Sequence, residues 1–164
     1  MLICANGCDR GNDSLGTTLV AKLALAPSST VADIGAGDGS IAAIFAKALP
    51  TGRVIATELR SRDVEKLSAR NPPNVEARLA TMTDSALHDH EVDLVLMCRV
   101  DHLLADRRTY LAALVPKLNA GGRVVLVNNA REEVALVATV RELGWKELDA
   151  FTPAEHLFAR VYRP

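Results

Sequence analysis

Three glycines at alternate positions, Gly35, Gly37 and Gly39, follow a short apolar stretch that carries one carboxylate, Asp33. Glycine adopts positive φ freely, and its missing Cβ lets a ligand lie against the backbone. Where such a turn opens a helix, free N–H groups and the positive end of the helix dipole favour an anionic group. A second carboxylate, Glu58, closes the next apolar stretch about twenty residues on, where an acidic side chain can accept two hydrogen bonds from a ribose diol. Together these residues point to a nucleotide-type ligand. Asp101-His102 offers a different chemistry: an imidazole able to take a proton at neutral pH, next to a carboxylate that can orient it or stay solvated.

The elements that position these residues follow from apolar spacing. Val31–Ile34 and Arg53–Thr57 read as strands, and between them Ile41, Ile44, Phe45, Ala48 and Leu49 form one face of a helix that Pro50-Thr51-Gly52 ends. Upstream, Asp13 or Ser14 can cap a helix over Leu15–Leu25. Residues 1–13 read as a lead-in segment and residues 14–164 as one domain. Downstream come a short helix over Arg60–Ala69, a strand at Val75–Ala80, a polar loop at Thr81–Glu91 and VDLVLMC at Val92–Cys98. That last run is apolar on both faces, as a central parallel strand should be. A helix over Asp106–Leu118 contains Pro116, which predicts a kink or an early end. Gly121-Gly122 turns into a strand at Arg123–Asn128. A helix over Glu132–Leu143 stops at Gly144, and strands at Trp145–Phe151 and His156–Tyr162 close the chain. This alternation predicts an α/β fold: a single-domain, doubly wound, seven-stranded, mostly parallel sheet with one antiparallel strand.

Composition narrows the partners. With 19 basic and 20 acidic residues and no block of one sign, nothing supports a nucleic-acid footprint. The longest apolar run is too short to span a bilayer, and the opening MLICANGCDRGND lacks the pattern of a secretory signal. Three cysteines, an odd number, provide no disulfide framework and suit a reducing, cytoplasmic setting.

The run Asp33-x-Gly35-x-Gly37-x-Gly39 resembles the first motif of class I S-adenosylmethionine (SAM) methyltransferases, of the Rossmann-like fold. An NAD fingerprint would want a third glycine where Ser40 stands. With Glu58, VDLVLMC and the closing LGWKELDAF and EHLFARVYRP, the chain is similar to a minimal, small bacterial member over most of its length. Asp101-His102-Leu103 stands where a subgroup carries a tyrosine–histidine–histidine run, and Arg99 where such members usually have a small or acidic residue.

The resemblance implies SAM as cofactor and assigns places to residues. Asp33 and the turn Gly35, Ala36, Gly37 and Gly39 would pack on the methionine part, with turn N–H groups available to its carboxylate. Glu58 would take the ribose hydroxyls, Thr81 and Met82 the adenine, and Cys98-Arg99-Val100 would run beside the sulfonium. His102, with Asp101 and Arg99, is the expected catalytic group: His102 as a base if one is needed, Arg99 turned towards an anionic acceptor.

Other tempting residues have plainer readings. His88-Asp89-His90 is a solvated turn, Cys4 and Cys8 fall short of the four ligands a structural zinc needs, and Arg107-Arg108 begin a solvated helix. Asn128-Asn129 with Asp101 is similar to the magnesium site of catechol-type members, but Cys98 occupies the position of the required acid, so no metal is expected. Two function classes follow. One is a methyltransferase acting on a small-molecule substrate, covered by the N-terminal segment or by a second subunit of a homodimer. The other is a SAM-binding protein of the same fold that no longer transfers the methyl.

Overall fold

The computed structural model describes residues 6–164, and Cys4 lies outside them, as does the side chain of Cys8. One seven-stranded sheet carries the fold: β1 (Thr30–Ile34), β2 (Arg53–Glu58), β3 (Val75–Leu79), β4 (Val92–Cys98), β5 (Leu118–Asn129), β6 (Lys146–Phe151) and β7 (Leu157–Arg163), in the order β3-β2-β1-β4-β5-β7-β6. Strands β1 to β5 pair in parallel, and β7 runs antiparallel to both β5 and β6. The mostly parallel sheet with one reversed strand is the architecture that the alternation of elements predicts.

Among the described residues, five helices cover the two faces: α1 (Asn6–Leu23), α2 (Ser40–Ala48), α3 (Ser61–Arg70), α4 (Arg107–Leu114) and α5 (Glu133–Glu142). Because side chains alternate along a strand, Leu94 and Leu96 of β4 pack with Leu15, Leu19, Phe45 and Leu67 of α1 to α3. Val95 and Met97 face the other way and pack with Leu111 and Leu114 of α4 and Leu136 and Val140 of α5. Both cores are apolar, which fixes the register of β4 and therefore the place of the loop that follows it.

Three local readings need correction. Helix α1 starts well before Ser14: Thr17 and Thr18 hydroxyls donate to the carbonyls of Asp13 and Ser14, which therefore sit inside the helix rather than capping it. Helix α4 stops at Leu114, and Pro116 lies in a tight turn, Val115–Lys117, so the proline ends the helix early. Strand β5 begins at Leu118. Pairing skips from Leu118 opposite Val92 to Arg123 opposite Leu94, and Gly121 and Gly122 lie in the bulge between.

Strand order reverses between β1 and β4. Their carboxyl ends diverge there into loops on opposite sides, which leaves the crevice where open α/β sheets bind ligands.

Candidate functional site

Every site residue named from the sequence lies at or just past the carboxyl end of β1, β2, β3 or β4. They fall into two groups, one on each side of the crevice.

The first group is built on β1 and β2. Gly35, Gly37 and Gly39 all have positive φ, at 70°, 62° and 81°. An added Cβ at Gly35 would come within 2.7 Å of Val100 Cγ1, and one at Gly39 within 2.7 Å of Leu67 Cδ2; at Gly37 it would meet nothing within 4 Å. Two glycines are thus required by packing, while Gly37 borders open space that a ligand can fill. Four of the turn N–H groups that the resemblance offers to a ligand carboxylate are already engaged within the chain. Gly35 and Ala36 both donate to Thr57 O at 3.0 Å, Gly39 to Ala36 O, and Gly37 to Glu58 Oε1 at 2.7 Å. Folding the turn back onto β2 satisfies these donors internally and orients Glu58 instead.

Glu58 Oε2 also accepts the N–H of Leu59 at 3.1 Å. Each carboxylate oxygen can accept more than one hydrogen bond, so capacity for a diol remains. Asp33 is buried beneath, and its Oδ2 has no hydrogen-bond partner among the described residues. Burial, with the nearby Glu58 and Asp38 carboxylates, pushes the Asp33 carboxyl up to about 7. Three carboxylates around one glycine turn make a site suited to a positively charged ligand.

Beside Glu58 lies a cleft of about 200 Å³ lined by Ile34, Thr57, Ala80, Met97, Val100 and Tyr110. Its mouth is rimmed by Leu59, Met82 and Leu103, large apolar side chains that are 49%, 43% and 62% exposed. Leucine and methionine left this open around a concave site fit a flat apolar ring. Leu59 and Tyr110 carry no signal in the sequence, where each looks like an ordinary helix or loop residue, and Leu103 stands out there only as the end of the Asp101-His102-Leu103 run. Thr81 plays a supporting part: its Oγ1 accepts the N–H groups of Thr83 and Asp84, holding the loop that presents Met82.

The second group follows β4. Cys98 is half-buried, and burial first, then Asp33, pushes its thiol up to about 11, so it remains protonated at neutral pH. Arg99 has φ of 59° and an exposed side chain whose Nη2 donates to Asn12 Oδ1 of α1 at 2.7 Å. Asp101–Leu103 form a single 3-10 turn. Asp101 is fully buried, so it is not solvated, and its carboxylate bonds to Asn128, not to the imidazole. Its Oδ1 accepts from Asn128 Nδ2 at 2.7 Å, and its Oδ2 faces Arg107 Nε at 3.3 Å. Burial raises the Asp101 carboxyl, while Asn128 and Arg107 pull it back down. Asn128 Nδ2 also lies 2.9 Å from His102 Nδ1. Arg107, expected in solvent, instead closes this cluster from α4. The sequence offers Asn128 only as a metal ligand, yet in the structure it is the link between Asp101 and His102. Among the described residues there is no group of three or more histidine, cysteine or carboxylate side chains that could hold a metal ion.

The family model described as a methyltransferase domain matches residues 31–122. An uncharacterized 37.1 kDa protein in a transposon of Streptomyces fradiae is 34% identical over 103 residues, 61% of this chain but 30% of that protein, so the chain spans under a third of that relative's length. Among solved structures, a SAM-dependent methyltransferase from Aquifex aeolicus superposes with a TM-score of 0.81 at 16% identity, covering 94% of this chain and 96% of that one. A TehB-like SAM-dependent methyltransferase from Corynebacterium glutamicum gives 0.73 at 17% identity, covering 90% and 86%. A chain of the complex containing the Haloferax volcanii Trm112 methyltransferase activator gives 0.74 at 16% identity, covering 96% and 94%. At these identities the structures speak for the fold.

Proposed function

The chain belongs to the methyltransferase-domain family and takes S-adenosylmethionine as its cofactor, and from that premise we propose that it transfers the methyl group to a small-molecule acceptor. The residues fit the cofactor. Glu58 would hold the ribose hydroxyls, the open side of Gly37 would accommodate the methionine part, and Leu59, Met82 and Leu103 would flank the adenine. The carboxylates of Asp33, Asp38 and Glu58 complement a sulfonium and an ammonium group. Bound there, the cofactor supplies a methyl carbon activated by positively charged sulfur. What the chain itself must do is orient the acceptor and keep water out.

The observation that carries the small-acceptor reading is the bond from Arg99 to Asn12. Through it α1 reaches the residue that follows β4, on the side proposed for the acceptor, and would limit the space there. The far side adds little room, since Asn129 leads through one tight turn, Ala130–Glu132, straight into α5. Arg99, His102 and Asp101 are the residues of this side, with Arg99 supplying positive charge for an anionic acceptor. A cytoplasmic setting belongs to the same proposal and is supported by the odd number of cysteines. No helix among the described residues is long and apolar enough to cross a membrane.

A second reading, cofactor binding without transfer, is favoured by one feature. Asn128 engages His102 Nδ1, so that nitrogen is not free to take a proton from an acceptor. Incubation with SAM and a panel of small acceptors separates the two. S-adenosylhomocysteine (SAH) accumulating above the acceptor-free background supports transfer. Tight cofactor binding with no accumulation across the panel supports the second reading.

A further inference from the structure

Resting on the acceptor side proposed above, we infer that Asn128 is a positioning residue that fixes His102 with its proton on Nε2, so that His102 meets the acceptor as a hydrogen-bond donor and not as a base. The main-chain N–H of Asn129 can only donate, and it lies 2.8 Å from Asn128 Oδ1. That contact assigns the carboxamide, because a reversed group would set NH₂ against N–H and its oxygen against the Asp101 carboxylate. The NH₂ then gives one hydrogen to Asp101 Oδ1 at 2.7 Å and the other to His102 Nδ1 at 2.9 Å. A neutral imidazole that accepts at Nδ1 carries its hydrogen at Nε2.

The lock is stiff. Asn128 and Asp101 are each 0% exposed, and Arg107 Nε donates to the Asp101 main-chain carbonyl at 3.3 Å while its charge lies 3.3 Å from Asp101 Oδ2. His102 is half-buried, and its Nε2 has no partner among the described residues. A ring held in this way suits an acceptor whose reacting oxygen already lacks a proton, a carboxylate or a phenolate. Nε2–H orients that oxygen, Arg99 in the same loop adds positive charge, and no proton has to leave.

The tautomer is read directly by ¹⁵N NMR of histidine-labelled protein, with His102 assigned by its loss in His102→Gln. In the wild type, Nδ1 should resonate as an unprotonated ring nitrogen and Nε2 as a protonated one; the reverse pattern would overturn the inference without any variant. The exchange D101N/N128D keeps one amide and one carboxylate in the buried pair but turns an acceptor towards Nδ1. The expected result is a switch of His102 to the Nδ1–H tautomer with SAH affinity unchanged by calorimetry. If the exchange leaves the tautomer as it was, Asn128 does not set it. On turnover, the exchange should lower kcat for a carboxylate or phenolate acceptor by on the order of 10²-fold, with KM changed far less. Turnover confined to amines or thiols would overturn the choice of acceptor class. Absence of SAH binding in the wild type would instead overturn the proposed function and leave the tautomer result standing.

Discussion

The two sides of the crevice solve the same problem by opposite means. On the β1–β2 side, Glu58 is held by main-chain N–H groups of Gly37 and Leu59, and the surrounding apolar side chains stand open. On the β4–β5 side, the groups that orient His102 are side chains, and they are buried. Backbone donors survive every substitution except proline, so the first side depends on its glycines and on the carboxylate they hold. The second rests on a chain of pairings in which each member leaves a buried partner unmatched if it is lost. The difference predicts different failures: lost affinity on the first side, lost stability and lost orientation on the second.

Asp33→Asn carries the largest expected effect and tests whether the first side is strained by its own charge. The Asp33 carboxyl titrates near 7 in the folded chain and near 3.8 when unfolded. Between those values the folded state binds the extra proton, so wild-type stability falls as pH rises from about 4 to about 7 and stays low above. The asparagine variant escapes that penalty. It should match the wild type near pH 4 and exceed it at pH 8, by up to about 4 kcal/mol in urea denaturation, while binding the cationic cofactor more weakly. Equal stability of the two proteins at pH 8 would mean that Asp33 is not strained.

Asn128→Ala tests the second side. It strands Asp101 Oδ1 and the N–H of Asn129 in a buried site, and should cost about 2–4 kcal/mol at two unmatched groups. A loss below 1 kcal/mol would mean that water replaces the carboxamide easily and that the cluster is not stiff.

The two glycines at the ends of this comparison separate packing from binding. Gly35→Ala should destabilise by about 2–3 kcal/mol, since its Cβ meets the branched Val100 at 2.7 Å in addition to the strain of positive φ. Gly37→Ala has only the strain, about 1–2 kcal/mol, and should fold while losing cofactor affinity. If the two variants are equally destabilised and Gly37→Ala binds normally, the turn is purely structural.

How much of this was legible in the sequence depended on distance along the chain. Asp33, the glycines and Glu58 fall within one strand–turn–helix–strand unit, so spacing alone brought them together. The alternation of elements gave the sheet in the same way. Asn128 and His102 are 26 residues apart, and they meet because β4 pairs with β5 in the register Cys98 to Val127. No periodicity announces which polar residues at neighbouring strand ends will touch. Leu59 was hidden for another reason: one leucine in a polar stretch has the same pattern whether it is a rim or an ordinary surface residue. Asp13 and Ser14 looked like caps by type, and only the hydroxyl bonds of Thr17 and Thr18 put them inside α1.

The central claim is that Glu58, held by Gly37 and Leu59, is the group that grips the cofactor's ribose. Calorimetric titration of SAH into the wild type and into Glu58→Ala tests it most directly. The wild type should bind in the micromolar range, about −8 kcal/mol. The variant should bind more weakly by about 1.5–3 kcal/mol, the loss of hydrogen bonds to a charged acceptor, with its urea midpoint little changed. Undiminished affinity in a folded Glu58→Ala protein would contradict the account.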